Sequence, residues 1–122
     1  MANLFGKLNS LRYKKSTLSA DITIADLVAE PFEVKILFYK KGTLVPAHTH
    51  STDTLHIVLK GKIRVESPTG RGKPRIFEAL GDYRCGGWEY RGRALADTHI
   101  MIIQEPGTTF VKSADPAFQP LG

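Results

Sequence analysis

The stretch GTLVPAHTHSTDTLHIVLKG, from Gly42 to Gly61, carries the most chemistry in the chain. It sets His48 and His50 two residues apart, adds His56, and brackets a β-branched apolar run with glycines. Side chains on a strand alternate between faces, so residues two apart point the same way. His48 and His50 therefore share one face, and Thr54, His56 and Val58 share a face with each other where no bulge intervenes. Neighbouring imidazoles on a rigid strand can supply two metal ligands without moving the backbone.

Working outward, the surrounding segments are short, β-rich and separated by turn residues. Phe32, Val34, Ile36 and Phe38 alternate with Glu33, Lys35, Leu37 and Tyr39, which predicts a half-buried strand. Lys40, Lys41 and Gly42 turn the chain. Strands are expected over Thr54–Lys60, Lys62–Glu66, Arg75–Leu80 and Thr98–Gln104, the last apolar enough to be buried on both faces. SPTGRGKP (67–74) is loop chemistry, Gly81-Asp82 reads as a turn, and Pro106-Gly107 closes the last of these strands. Before Ile22 lies a basic arm, residues 1–19. Its Leu4, Leu8 and Leu11 fit a short amphipathic helix, while an irregular arm or exchanged edge strand fits as well. Residues 20–112 form the expected β domain and 113–122 a surface tail. Many short strands with hardly a credible helix predict an all-β sandwich or small barrel.

Composition narrows the class. At 122 residues the chain is one domain with room for a single core. No apolar run approaches the roughly 20 residues that would span a bilayer. The first residues lack the apolar core of a signal peptide. One cysteine, Cys85, excludes an intrachain disulfide and suits a reducing compartment, so a cytoplasmic setting is expected. The net charge of +5 is spread over three groups, around Lys7–Lys15, Arg71–Arg75 and Arg84–Arg93. That is not a continuous basic stripe interleaved with stacking aromatics, and neither a nucleic-acid nor a membrane partner is expected.

The opening stretch resembles the first signature motif of the cupin family: Gly, five residues, His-x-His, three or four residues, Glu, six residues, Gly. Gly42, His48, His50 and Gly61 fall in register, and Thr54 stands at the glutamate position. The second motif, a Gly-Asp-led strand followed by Pro-x-Gly and a histidine, aligns with Gly81-Asp82 and Cys85-Gly86-Gly87, which puts Tyr90 at the histidine. The resemblance covers about Phe32 to Val111. It implies an antiparallel cupin barrel (jelly roll) with its site inside, and the habit of small cupins to pair makes a homodimer the expected assembly.

Cupins usually hold a divalent metal with three histidines and one glutamate, so His48 and His50 are the first candidate ligands, with His56 or His99 completing the set. Iron, zinc, nickel and copper suit imidazole, and the resemblance adds manganese to the candidate ions. Tyr90 is a candidate acid or base or a pocket wall. Thr54, Trp88, Arg91 and Arg93 are candidates for contacting a small anionic substrate, an arginine by bidentate contact to a carboxylate. Each residue has a plainer reading as well: a hydrogen-bonded core histidine for His56 and His99, a packed thiol for Cys85, a wall for Trp88. Two functions follow from the resemblance. One is a metal-dependent oxygenase, isomerase or lyase acting on a small metabolite. The other is a metal-free binding or sensor protein.

Overall fold

The structure, a computed structural model, describes residues 11–16, 18–67, 73–85 and 89–112. The side chains of Cys85, Val111 and Lys112 are not described, and Trp88, the tail 113–122 and the arm's first ten residues lie outside the described residues. The expected helix at Leu4–Leu11 thus falls almost wholly outside them.

The described residues form no helix and eleven strands. These are β1 (Lys14–Lys15), β2 (Ile22–Val28), β3 (Glu33–Tyr39), β4 (Leu44–His50), β5 (Thr54–Lys60), β6 (Lys62–Glu66), β7 (Arg75–Glu78), β8 (Asp82–Cys85), β9 (Tyr90–Ala94), β10 (Thr98–Gln104) and β11 (Phe110–Lys112). A larger sheet runs β1-β2-β3-β10-β5-β8 and a smaller one β11-β4-β9-β6-β7, with antiparallel neighbours throughout. The all-β expectation holds. Lys14 and Lys15 pair with Ile24 and Thr23 of their own chain, so the described end of the arm forms an edge strand.

The two sheets close on one core. Ile22, Ile24, Leu37, Tyr39, Val58, Ile100 and Ile102 enter it from the larger sheet, and Val45, Ile63, Val65, Tyr90 and Ala94 from the smaller. Alternation along β5 and β10 selects the inward residues: Thr54, His56 and Val58 are buried on one strand, facing Gln104, Ile102 and Ile100 on the other. In β3 both alternate faces carry apolar residues, and the core takes Leu37 and Tyr39. Phe38 lies on the opposite face against His99, and Phe32 is 57% exposed. The turn expected at Gly81-Asp82 sits earlier, at Ala79-Leu80, because Asp82 already pairs with Ile57 in β8. Phe110–Lys112, beyond the expected last strand, adds β11 to the edge of β4.

Two local features position the site. In β4, Val45 pairs with Gly92 and His48 with Tyr90, so Pro46 and Ala47 oppose the single residue Arg91. This β-bulge lets Val45 face inward together with His48 and His50, which strict alternation forbids. At the end of β5, Gly61 adopts φ +100°, and a Cβ there would lie 2.3 Å from the Asp97 carbonyl oxygen. The glycine allows the β5–β6 turn to close on Thr98, whose hydroxyl accepts from the Lys62 N–H at 3.1 Å and donates to the Ala96 carbonyl at 2.8 Å.

Candidate functional site

His48 and His50 reach the interior from β4, His56 from β5 and Tyr90 from the start of β9. The three imidazoles converge on one atom. The Nε2 atoms of His48, His50 and His56 lie 3.0, 2.9 and 3.2 Å from the Tyr90 hydroxyl oxygen.

Proton counting orders this cluster. His48 Nδ1 lies 2.7 Å from the Pro46 carbonyl, which can only accept, so Nδ1 carries the proton and Nε2 presents its lone pair. The Tyr90 O–H therefore donates to His48. A phenol has one proton, so His50 and His56 must donate to it through Nε2. Their Nδ1 atoms are then bare lone pairs, and both are buried without a hydrogen-bond partner. The Thr54 and Tyr83 backbone lies near enough to favour charge on His56, but its Nδ1 makes no hydrogen bond to either.

Burial keeps all three rings neutral. Loss of water pushes His48 down to about 4, against a smaller upward pull from the Pro46 carbonyl. His50 is pushed to about 3 by burial and by His48 beside it. His56 falls well below the ordinary value, again through burial and then through His50 and His48. Neutral imidazole is the form that binds metals.

Aromatic walls fix the rings. Tyr83 stacks on His56 with centroids 4.5 Å apart, and Phe110 meets His50 edge-on at 5.0 Å and His48 at 5.7 Å. Beside them Thr54 is buried and donates to Gln104 Oε1 at 3.2 Å. Sequence reasoning missed Tyr83, Gln104 and Phe110. The first two were within reach of period-two alternation on β8 and β10, whereas a lone phenylalanine after Pro-Gly carries no such signal.

Of the sequence candidates, the structure brings together His48, His50, His56 and Tyr90, with Thr54 buried beside His56 on the same face of β5. His99 does not join them. Ile100 and Ile102 take the inward positions of β10, so His99 lies on the outer face, 4.8 Å from the Phe38 ring. Arg91 and Arg93 also stand apart from the cluster. Tyr90, Gly92 and Ala94 fill the inner face of β9, and the two arginines stand on the outside of the smaller sheet. The backbone of Cys85 pairs with Thr54.

Three imidazoles and a phenol suit a divalent transition metal chemically. The present geometry is a hydrogen-bonded one. Metal–imidazole bonds are about 2.0–2.1 Å, the spokes here are longer, and among the described residues no three histidine, cysteine or acidic groups stand in metal-holding geometry. The Tyr90 oxygen occupies the point of convergence.

A cleft of about 230 Å³ opens beside the site between the sheets, lined by Lys14, Lys15, Lys35, Gln104, Thr108 and Phe110 among others. Gln104 and Phe110 form its inner wall, since they also touch Thr54 and the histidines. Lys35 is held by Glu33 at 3.1 Å and Asp26 at 3.3 Å.

Solved structures share this architecture. An RmlC-like cupin from Shewanella frigidimarina aligns over 81% of this chain and 86% of its own, with TM-score 0.65 and 11% identity. A candidate acetylacetone dioxygenase from Methylibium petroleiphilum aligns over 95% and 83%, with TM-score 0.66 and 17% identity. The polyketide cyclase RemF from Streptomyces resistomycificus aligns over 89% and 86%, with TM-score 0.69 and 14% identity. The sequence matches no protein-family model and no curated protein. The protein has the RmlC-like cupin fold. Among its described residues no helix is long and apolar enough to cross a membrane.

Proposed function

We infer that this cupin barrel binds a small, anionic metabolite beside the His48–His50–His56–Tyr90 cluster, and that the three imidazoles hold a divalent metal there. The observation that carries this reading is the convergence of three Nε2 atoms on one point within 3.2 Å. A bound iron, zinc, nickel, manganese or copper ion would supply Lewis acidity, or oxygen activation in the case of a redox metal. The chain's own residues do the rest. His48 keeps its Nε2 lone pair inward through the Pro46 carbonyl. With an ion bound, His50 and His56 would carry their protons on Nδ1, and the Tyr90 O–H, released from His48 Nε2, would be placed to give or take a proton. Phe110 and Tyr83 keep water from the rings, and the lysines of the cleft attract the anion. A dioxygenase and a polyketide cyclase among proteins of the same fold agree with small-molecule chemistry in such a barrel.

Metal content after reconstitution and gel filtration tests the reading. One equivalent is expected for the native chain, with loss in His48→Ala, His50→Ala and His56→Ala. A native chain that stays well below one equivalent with all five metals sinks it. The position of the Tyr90 hydroxyl favours a second reading, a metal-free binding protein whose polar centre is the cluster itself. Thermal shifts with small carboxylates that persist in chelator would then be seen.

A further inference from the structure

We propose that the outer face of the smaller sheet carries a second ligand site, for the phosphate group of a small phosphorylated metabolite. There Arg64, Arg91, Arg93 and Glu66 surround a cavity of about 310 Å³ with Leu44 and Leu95 as apolar walls. It lies across the smaller sheet from the histidine cluster and shares no residue with it.

Charge and register carry the argument. Arg64 on β6 and Arg93 on β9 are direct cross-strand partners, a like-charge placement that destabilises a sheet when nothing offsets it. The nearby carboxylate is already shared. Glu66 accepts from Arg91 Nε at 3.1 Å through one oxygen and meets Arg64 at 3.5 Å through the other. The Arg93 guanidinium has no hydrogen bond or ion pair among the described residues. Among the described residues that line the cavity, three guanidinium groups stand with one carboxylate, an excess of positive charge. An anion fits that excess, and a phosphate presents oxygens to several guanidinium forks at once, where an ammonium offers only a point charge. Arg91 and Arg64 are held by Glu66, so much of their ordering is done before a ligand arrives. The cavity is larger than a phosphate group, and Leu44 and Leu95 offer a surface for a compact organic body attached to it.

The test uses the full chain in chelator, which silences any metal at the central cluster, and compares thermal midpoints in sodium chloride of matched ionic strength. Saturating inorganic phosphate is expected to raise the midpoint by about 3 °C or more over chloride. Glycerol 3-phosphate is expected to raise it further at the same concentration, and acetate not at all. Arg93→Gln should abolish the phosphate response while leaving the chain at least as stable as the native one at low salt, because it removes the cross-strand repulsion. Arg93→Lys keeps the charge and loses the fork, and should weaken phosphate binding roughly tenfold. Lys14→Gln, in the cleft between the sheets, should leave the response intact, as should His50→Ala. A phosphate shift no greater than chloride, an equal response to acetate, or full retention in both Arg93 variants would each overturn the site. Glycerol 3-phosphate no better than free phosphate would overturn the metabolite as the source of the phosphate.

Discussion

Tyr90 is the residue on which the site turns, since its hydroxyl is the common partner of three buried imidazoles. Tyr90→Phe removes it with little change in volume and strands one acceptor and two donors inside the barrel. Each buried unsatisfied group costs about 1–3 kcal/mol, so we expect the metal-free variant to lose about 2 kcal/mol or more, read from its urea midpoint. An unchanged midpoint would mean that the imidazoles find other partners. The same residues set an acid limit. With His48 at about 4, His50 at about 3 and His56 well below its ordinary value, the folded chain keeps them neutral, while the unfolded chain takes up protons from about pH 6.5 downward. The unfolded state then binds more protons. Stability is fully present above about pH 6.5 and falls as the pH drops toward 4, by about 1.4 kcal/mol per pH unit for each imidazole. Denaturant titrations between these limits check the slope, and a flat profile would contradict neutral burial.

Single elements decide which residues reach the interior. The parity of β10 turns His99 outward, so His99→Ala should leave metal content at the native level while His56→Ala on β5 lowers it. Matching losses in the two variants would place His99 in the site after all. At the β5–β6 turn, Gly61→Ala would combine a left-handed backbone with a Cβ 2.3 Å from the Asp97 oxygen. A loss of about 3 kcal/mol or more in chemical denaturation is expected. The same elements show how much could be read in advance. Strands β5 and β10 were legible because apolar, β-branched runs end at flanking glycines or prolines, and β6 because KIRVE alternates. The inward face of His48 and His50 was legible from their spacing and the family motif. The face of β3 was not, because EVKILFY presents apolar residues on both sides. The outward aim of Arg91 and Arg93 follows from the alternation of YRGRA, but no strand was expected there, because Gly92 interrupts it and Cys85-Gly86-Gly87 stands just before it. The β4 bulge is a pairing property with no sequence mark beyond Pro46.

For the whole molecule, the central cluster links ligand to fold. Its members come from β4, β5 and β9, hence from both sheets. An ion held by His48, His50 and His56 therefore ties the sheets together and binds the native state alone. At a free concentration one hundred times Kd, it should add about 2.7 kcal/mol to unfolding stability. Titrating zinc or nickel against the thermal midpoint measures this, with His50→Ala as the control that should not respond. A midpoint that climbs equally in that variant would place the ion elsewhere on the surface.

The bulge at Pro46 and Ala47 has a bearing on engineering. It leaves the Pro46 carbonyl beside the ring of His48, where it fixes the protonation pattern from which the whole cluster is ordered. The set of four side chains is therefore not portable by itself. Grafting His48, His50, His56 and Tyr90 onto a barrel whose fourth strand is regular would transfer the functional groups without the backbone oxygen that assigns their protons. A faithful transplant has to carry the main chain from Val45 to His48 as part of the site.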